Sequence, residues 1–328
     1  MRKIAVIGSG SWGIALSVYL ASQGNKVNVW SFAEEEINLI NNEKKCKFLP
    51  NLTLPENIYA TSDFKEVIDD AEIILHVTPS KFVRNTIQQY KQYVKENQPI
   101  IMCSKGFEPV TELTLDEVIK QEIPNAKCGV LSGPSHAEEV SINVPTALVI
   151  ASEHEDVIVK IREIFKSNII RIYSSKDVKG VEIGGALKNI IAFCAGIAVG
   201  LNLGDNTFAA LATRGLVEIT RLGTAMGAEE KTFYGLTGLG DLIVTCGSVH
   251  SRNRRAGEMI GKGFTIEEAR KEIGMTIESV DNIDVAYSLS KKYNVEMPIV
   301  NAVYNVLYNG LDPKEAVNQL MTRELKDE

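Results

Sequence analysis

The stretch that most limits the fold is the first thirty residues, MRKIAVIGSGSWGIALSVYLASQGNKVNVW. Ile4 to Ile7 is a short, apolar, β-branched-rich run of the kind found in strands buried on both faces. It leads directly into GSGSWG, where Gly8, Gly10 and Gly13 stand in GxGxxG spacing. An apolar-periodic helix carrying Ile14, Ala15, Leu16, Val18, Tyr19 and Leu20 follows, ends near Gly24, and gives way to a second strand at Val27–Trp30. A lone GxGxxG is weak evidence, but a strand before it and a helix and strand after it form a dinucleotide-binding unit. Gly8 then permits the tight turn, Gly10 lets a pyrophosphate approach the backbone, and Gly13 lets helix and strand pack closely. The helix N-terminus offers unpaired N–H groups to the phosphates.

Such units place an acid about 20 residues on, at the end of the second strand, when the ribose carries a free 2′-hydroxyl. Here Trp30, Ser31, Phe32 and Ala33 occupy that place, and acids begin only at Glu34. No arginine stands nearby to hold a 2′-phosphate, so the residues leave NADH and NADPH both open.

The rest of the first half alternates strands and helices. Helices are expected over Glu34–Asn42, Phe64–Asp70, Lys81–Asn97, Leu113–Gln121 and Val157–Phe165, and strands over Asn57–Thr61, Ala71–Val77, Ile100–Cys103, Cys128–Leu131, Thr146–Ala151 and Ile169–Tyr173. This alternation predicts an α/β fold, a Rossmann-like, doubly wound, mostly parallel sheet. From about Lys176 strand patterns give way to long helical ones, first Val181–Val199 and then Phe208–Met226. The expected organisation is a dinucleotide-binding domain over 1–176 and an all-helical substrate domain over 177–328, with the site in the cleft between them.

Composition narrows the function classes. A net charge of −7 gives no general attraction to nucleic acid or anionic membranes, so any phosphate recognition must be local. Cys46, Cys103, Cys128, Cys194 and Cys246 are scattered and odd in number, with no CxxC or Cys/His cluster, so neither a metal site nor a disulfide framework is expected and a reducing cytoplasm fits. Met1 leads straight into the first strand, so no secretory leader is expected. The most apolar region, Ile190 to Leu203, is broken by glycines and reads as a buried helix too short to span a bilayer.

Three clusters carry candidate chemistry. In GGALKN, Gly184–Asn189, Lys188 lies among apolar residues. Burial would disfavour its charged form and make it a proton donor and acceptor, unless it snorkels to solvent. In TGLGDL, Asp241 either tunes Lys188, takes a substrate hydroxyl, or simply starts a helix. In SRNRR, Ser251, Arg252 and Asn253 form a dense donor set suited to a phosphate, or else a solvated basic helix start. Lys105 at a strand end and Ser135 in SGPSHA are further polar candidates, whereas His136 has no identifiable partner carboxylate.

Taken together, GSGSWG, SKG at Ser104–Gly106, SGPSHAEE, GGALKN, GLGDL and SRNRR occur in one order and spacing over nearly the whole chain. In this the chain resembles the bacterial-type NAD(P)-dependent glycerol-3-phosphate dehydrogenases. The resemblance implies that Lys188 is the catalytic proton donor and acceptor, with Lys105, Asn189 and Asp241 beside it. It implies substrate contacts from Lys105, Gly133, Ser135, Lys188, Asn189, Asp241, Ser251, Arg252 and Asn253. Cofactor contacts carry over to Gly8, Gly10, Ser11, Trp12, Gly13, Lys105, Ala137, Arg252 and Glu278, with Ser31, Phe32 and Thr276 at neighbouring family positions. Two departures are visible. Ser31 and Phe32 replace a frequent basic residue after the second strand, and the family's VVEG reads here Thr276-Ile277-Glu278-Ser279.

The implied reaction is reversible hydride transfer between NADPH or NADH and dihydroxyacetone phosphate, giving sn-glycerol 3-phosphate for glycerophospholipid synthesis. Rival readings are a β-hydroxyacid-type dehydrogenase with a catalytic lysine, and a non-catalytic dinucleotide sensor. No nucleic-acid partner and no stable membrane insertion are expected, and a homodimer is left open.

Overall fold

The structure, a computed structural model, describes residues 1–324; residues 325–328, the end of the expected helical domain, lie outside the described residues. Eight strands form one sheet: β1 (Lys3–Ile7), β2 (Lys26–Trp30), β3 (Ile58–Thr61), β4 (Ile73–His76), β5 (Ile100–Met102), β6 (Cys128–Ser132), β7 (Thr146–Ala151) and β8 (Ile170–Ser175). Their order is β3-β2-β1-β4-β5-β6-β7-β8. Neighbours are parallel except β6 and β7, which run antiparallel. The order reverses between β1 and β4, and such a switch point opens a ligand crevice at the strands' carboxyl ends. Ile4 to Ile7 and Ile73 to Leu75 are fully buried, as a continuous apolar run requires when both sheet faces are covered.

The helix Ser11–Ser22 leaves the carboxyl end of β1 and is buried almost all round. Two glycines make that junction. Gly8 has φ +126°, outside the range of L side chains, and a Cβ on Gly13 would stand 2.1 Å from the Gly8 carbonyl oxygen. Strand and helix therefore meet at a distance only glycine allows.

Elsewhere the expected elements hold with shifted ends. The helix expected over Glu34–Asn42 is α-helical over Glu34–Asn38 and continues as a wider π-type turn over Leu39–Glu43. The helix expected over Lys81–Asn97 stops at Tyr93, because Val94 turns extended and Asn97 takes φ +62°. The Gln98 side chain closes that turn, accepting from the Lys95 N–H at 3.0 Å. A short helix, Ala137–Val140, follows SGPSH without having been expected.

By contact density the chain divides into two units. The first comprises Met1–Glu108 with Leu113–Glu182, and the second comprises Pro109–Glu112 with the chain from Ile183 onward. The second unit is helical. The helix Val178–Gly200, which belongs to this unit from Ile183 on, is long and apolar enough to cross a membrane by length and composition, which the shorter expected run was not. Of its most apolar window 89% is buried inside the protein, the pattern of a core helix.

That helix crosses Arg252–Gly261 at glycines on both sides. A Cβ on Gly196 would lie 2.0 Å from the Arg254 carbonyl oxygen, and one on Gly257 would lie 1.9 Å from that of Phe193. Gly200 and Gly261 meet in the same way one turn on. Elsewhere in the unit, buried Glu218 accepts the N–H groups of Ile299 and Val300 at 2.7 and 3.2 Å, satisfying the start of helix Pro298–Tyr308. Burial pushes the Glu218 carboxyl up to about 7, the two N–H bonds pulling the other way.

Candidate active site

In the first unit, the GSGSWG loop delivers Ser11 and Trp12 into the first turn of a helix whose N-cap, Gly10, makes no side-chain capping bond. No acid stands in that turn. Gly10 has φ −66° and ψ 173°, a conformation open to any residue, and a Cβ there would meet nothing within 4 Å. Its glycine is thus not required by backbone or packing, while a pyrophosphate needs the open space it leaves before the helix N–H groups. The Trp12 indole Nε1 is buried without a hydrogen-bond partner. This loop fits a dinucleotide.

Past the end of β2, Ser31 is buried and Phe32 is 84% exposed. Here the structure shows what spacing did not. Glu36, on the following helix, folds back so that its Oε2 accepts from Ser31 Oγ at 3.0 Å and from Ser9 Oγ in the glycine loop. The two hydroxyls themselves lie 2.8 Å apart. A carboxylate therefore stands beside the loop, reached from five residues beyond Ser31.

At the ends of β5 and β6, Lys105 donates to the Gly133 carbonyl oxygen at 3.1 Å, and Ser135 Oγ donates to the same oxygen at 3.0 Å. Lys105, Gly133 and Ser135 thus form one cluster, with Ala137 buried at the start of the next helix. At the end of β4, His76 is fully buried between Tyr90 Oη at 3.0 Å and Thr78 Oγ1 at 2.7 Å. Burial lowers its imidazole to about 3, so it is neutral and structural. Among the described residues no His, Cys, Asp and Glu cluster could hold a metal.

In the second unit, Lys188 does not snorkel. It is buried, its Nζ donating to Asp241 Oδ1 at 2.7 Å and to Thr245 Oγ1 at 2.6 Å. Thr245 Oγ1 in turn donates to Asp241 Oδ1 at 3.1 Å, closing a three-membered network. Thr245 was not foreseen, although its spacing was a signal. It lies four residues after Asp241, and on the helix Asp241–Gly247 that puts both on one face. Asp241 is the first residue of that helix but serves Lys188 rather than only the helix start.

The neighbouring position of the long helix feeds a second network. Asn253 Nδ2 donates to Asn189 Oδ1 at 2.9 Å, and the Ser279 N–H donates to Asn253 Oδ1 at 2.9 Å. Asn253 so ties the GGALKN helix to the Thr276–Ser279 segment, where Glu278 opens the helix Glu278–Lys292 and Thr276 is half-buried. Ser251 is the N-cap of helix Arg252–Gly261, accepting from the Arg254 N–H at 3.2 Å. Arg252, half-buried, follows it in the first turn, so SRN is a helix start with its donors gathered at one end.

Comparison with known proteins bears on this arrangement directly. The profile of the NAD-dependent glycerol-3-phosphate dehydrogenase N-terminus matches residues 3–158, and that of the C-terminus matches residues 177–318. The chain belongs to the NAD-dependent glycerol-3-phosphate dehydrogenase family. A glycerol-3-phosphate dehydrogenase [NAD(P)+] from Fusobacterium nucleatum subsp. nucleatum is 49% identical over 330 residues, covering 99% of this chain and 98% of its own length. One from Bacillus mycoides is 48% identical over 332 residues, covering 100% and 98%. The crystal structure of glycerol-3-phosphate dehydrogenase from Coxiella burnetii superposes with a TM-score of 0.95 at 38% identity, covering 98% of this chain and 99% of that one. Membership in this family makes the chain an NAD(P)-dependent oxidoreductase and favours it over the β-hydroxyacid and sensor readings.

Proposed function

We propose that the chain interconverts dihydroxyacetone phosphate and sn-glycerol 3-phosphate, and that Lys188 handles the proton. The observation that carries this is a buried lysine whose Nζ donates to a carboxylate and a hydroxyl, an arrangement that is weak evidence of a role in stability. A reduced NADH or NADPH, when bound, supplies the hydride. The residues of the chain do the rest. The Lys188 ammonium donates to the ketone oxygen, stabilises the negative charge that grows there, and passes it a proton. In the reverse direction the same nitrogen takes the proton from the hydroxyl. Asp241 and Thr245 fix two of its three donor directions, which sets the orientation of the nitrogen.

Arg252, Ser251 and Asn253 are assigned to the substrate phosphate, far enough from the reacting carbon for their binding energy to orient the ketone. Asn189 positions Asn253 through their shared bond. Lys105, Gly133 and Ser135 on the first unit are assigned to substrate as well, Lys105 also to cofactor. Gly8, Gly10, Ser11, Trp12, Gly13, Ser31, Phe32 and Ala137 of that unit are assigned to cofactor, as are Arg252, Thr276 and Glu278 of the second. The product feeds glycerophospholipid synthesis. A homodimer working in the cytoplasm, without insertion in a membrane, completes the proposal.

Steady-state kinetics with dihydroxyacetone phosphate and each reduced cofactor tests it. Ketone-dependent oxidation of NADH or NADPH is expected, with phosphate-free dihydroxyacetone and carboxylated ketones far poorer. Turnover that prefers a carboxylated ketone would sink the reading.

A further inference from the structure

Dinucleotide enzymes distinguish NADH from NADPH at one position, the adenosine ribose 2′ oxygen, which carries a hydroxyl in the first and a phosphate in the second. That oxygen comes to the end of the second strand, next to the glycine loop. At this place β2 offers no acid, since Trp30 is followed by Ser31, Phe32 and Ala33. The structure fills the gap from elsewhere. Glu36 reaches back to Ser31 Oγ at 3.0 Å and to Ser9 Oγ, residues that belong to the end of β2 and to the glycine loop themselves.

Three features of this carboxylate bear on selectivity. Both serine hydroxyls address Oε2, and no protein donor addresses Oε1 among the described residues, so an acceptor is left for a ribose hydroxyl. Ser9 and Ser31 are themselves buried, which fixes the side chain in place. Among the described residues no lysine or arginine pairs with Glu36. The nearest downstream lysines, Lys44 and Lys45, face Glu56 at 3.3 Å and Glu43 at 4.0 Å. A 2′-phosphate would therefore meet a carboxylate and two hydroxyls where NADPH enzymes supply a cation.

We infer that Glu36, anchored by Ser9 and Ser31, is the cofactor-selecting residue of this chain, accepting from the ribose 2′-hydroxyl and excluding the 2′-phosphate, so that the enzyme uses NADH. Phe32, exposed one residue after Ser31, puts an apolar side chain rather than a cation at the end of β2. This rests on the dinucleotide-binding reading given above, and deepens it by choosing between the two cofactors.

Dissociation constants for NADH and NADPH, measured by fluorescence titration without substrate, test it independently of turnover. The wild-type chain is expected to bind NADH at least tenfold more tightly, a gap of about 1.4 kcal/mol or more. Glu36→Gln removes the charge but keeps the shape, and is expected to bring the two constants within about threefold, mainly by improving NADPH. ADP-ribose and its 2′-phosphate, titrated as competitors, should show the same ratio, since the difference sits on the adenosine side. Equal wild-type affinities, or a ratio that Glu36→Gln leaves untouched, would overturn the inference while sparing the dinucleotide site. Failure to bind either dinucleotide would overturn both.

Discussion

The network around Lys188 sets the expectations at the scale of single residues. Lys188→Ala removes the only group assigned to the ketone oxygen, and kcat is expected to fall by about 10³-fold or more. Dinucleotide affinity, read by titration, should stay within about threefold, because none of the glycine-loop contacts is disturbed. Near wild-type turnover in that variant would end the proposed role. Thr245→Val keeps the volume but removes the hydroxyl that Lys188 reaches at 2.6 Å, so the ammonium loses that anchor. About a tenfold drop in kcat at little-changed KM is expected, since orientation rather than binding is lost. Arg252→Ala should act oppositely, raising KM for the triose phosphate by a loss of about 2–5 kcal/mol while sparing the chemical step. Lys188, Asp241 and Arg252 were legible as residue types in apolar or basic company. Thr245 and Glu36 were not, because each matters only through where a helix aims it.

Between elements, glycines serve two ends that sequence spacing alone does not separate. At Gly257 the backbone of one helix lies against the Phe193 carbonyl of another, so an added methyl has nowhere to go. Gly257→Ala should push the helices apart and cost about 2 kcal/mol or more in denaturant unfolding. Because the same crossing brings Asn253 to Asn189, substrate affinity should fall with it. Gly10→Ala is the contrasting case. Its backbone and its surroundings both tolerate a methyl, so unfolding should change by less than about 1 kcal/mol, while dinucleotide binding weakens at least about tenfold. If Gly10→Ala unfolds as readily as Gly257→Ala, the loop is structural rather than a cradle. The βαβ alternation was legible because strands and helices have different periods. The end of the helix before Gln98 was not, since it depends on a side chain closing a turn from outside the helix.

For the molecule as a whole, the buried charges predict how stability follows pH. Glu218 ionises at about 7 in the folded chain against 4.5 unfolded, so folding takes up a proton across that interval. Its contribution is fullest below about 4.5 and is lost as the pH rises through 7, a swing of up to about 3 kcal/mol. Denaturant midpoints at pH 5 and pH 8 should therefore differ less in Glu218→Gln than in the wild-type chain. An unchanged difference would show that another group governs the trend. The division into a sheet-bearing part and a helical part was visible in the change of pattern near Lys176, whereas the carboxylate under the last helices had no signature beyond a glutamate in an amphipathic stretch.

All five thiols are unbridged and buried, and burial pushes Cys194 and Cys246 up to about 12 and Cys128 to about 11. A maleimide or an aromatic disulfide reagent meets almost no thiolate while the chain stays closed. Reagent uptake then becomes a clock for opening. Cys246 stands one position from Thr245, so the pace at which it is labelled, with triose phosphate present or withheld, reads how often the buried network around Lys188 opens.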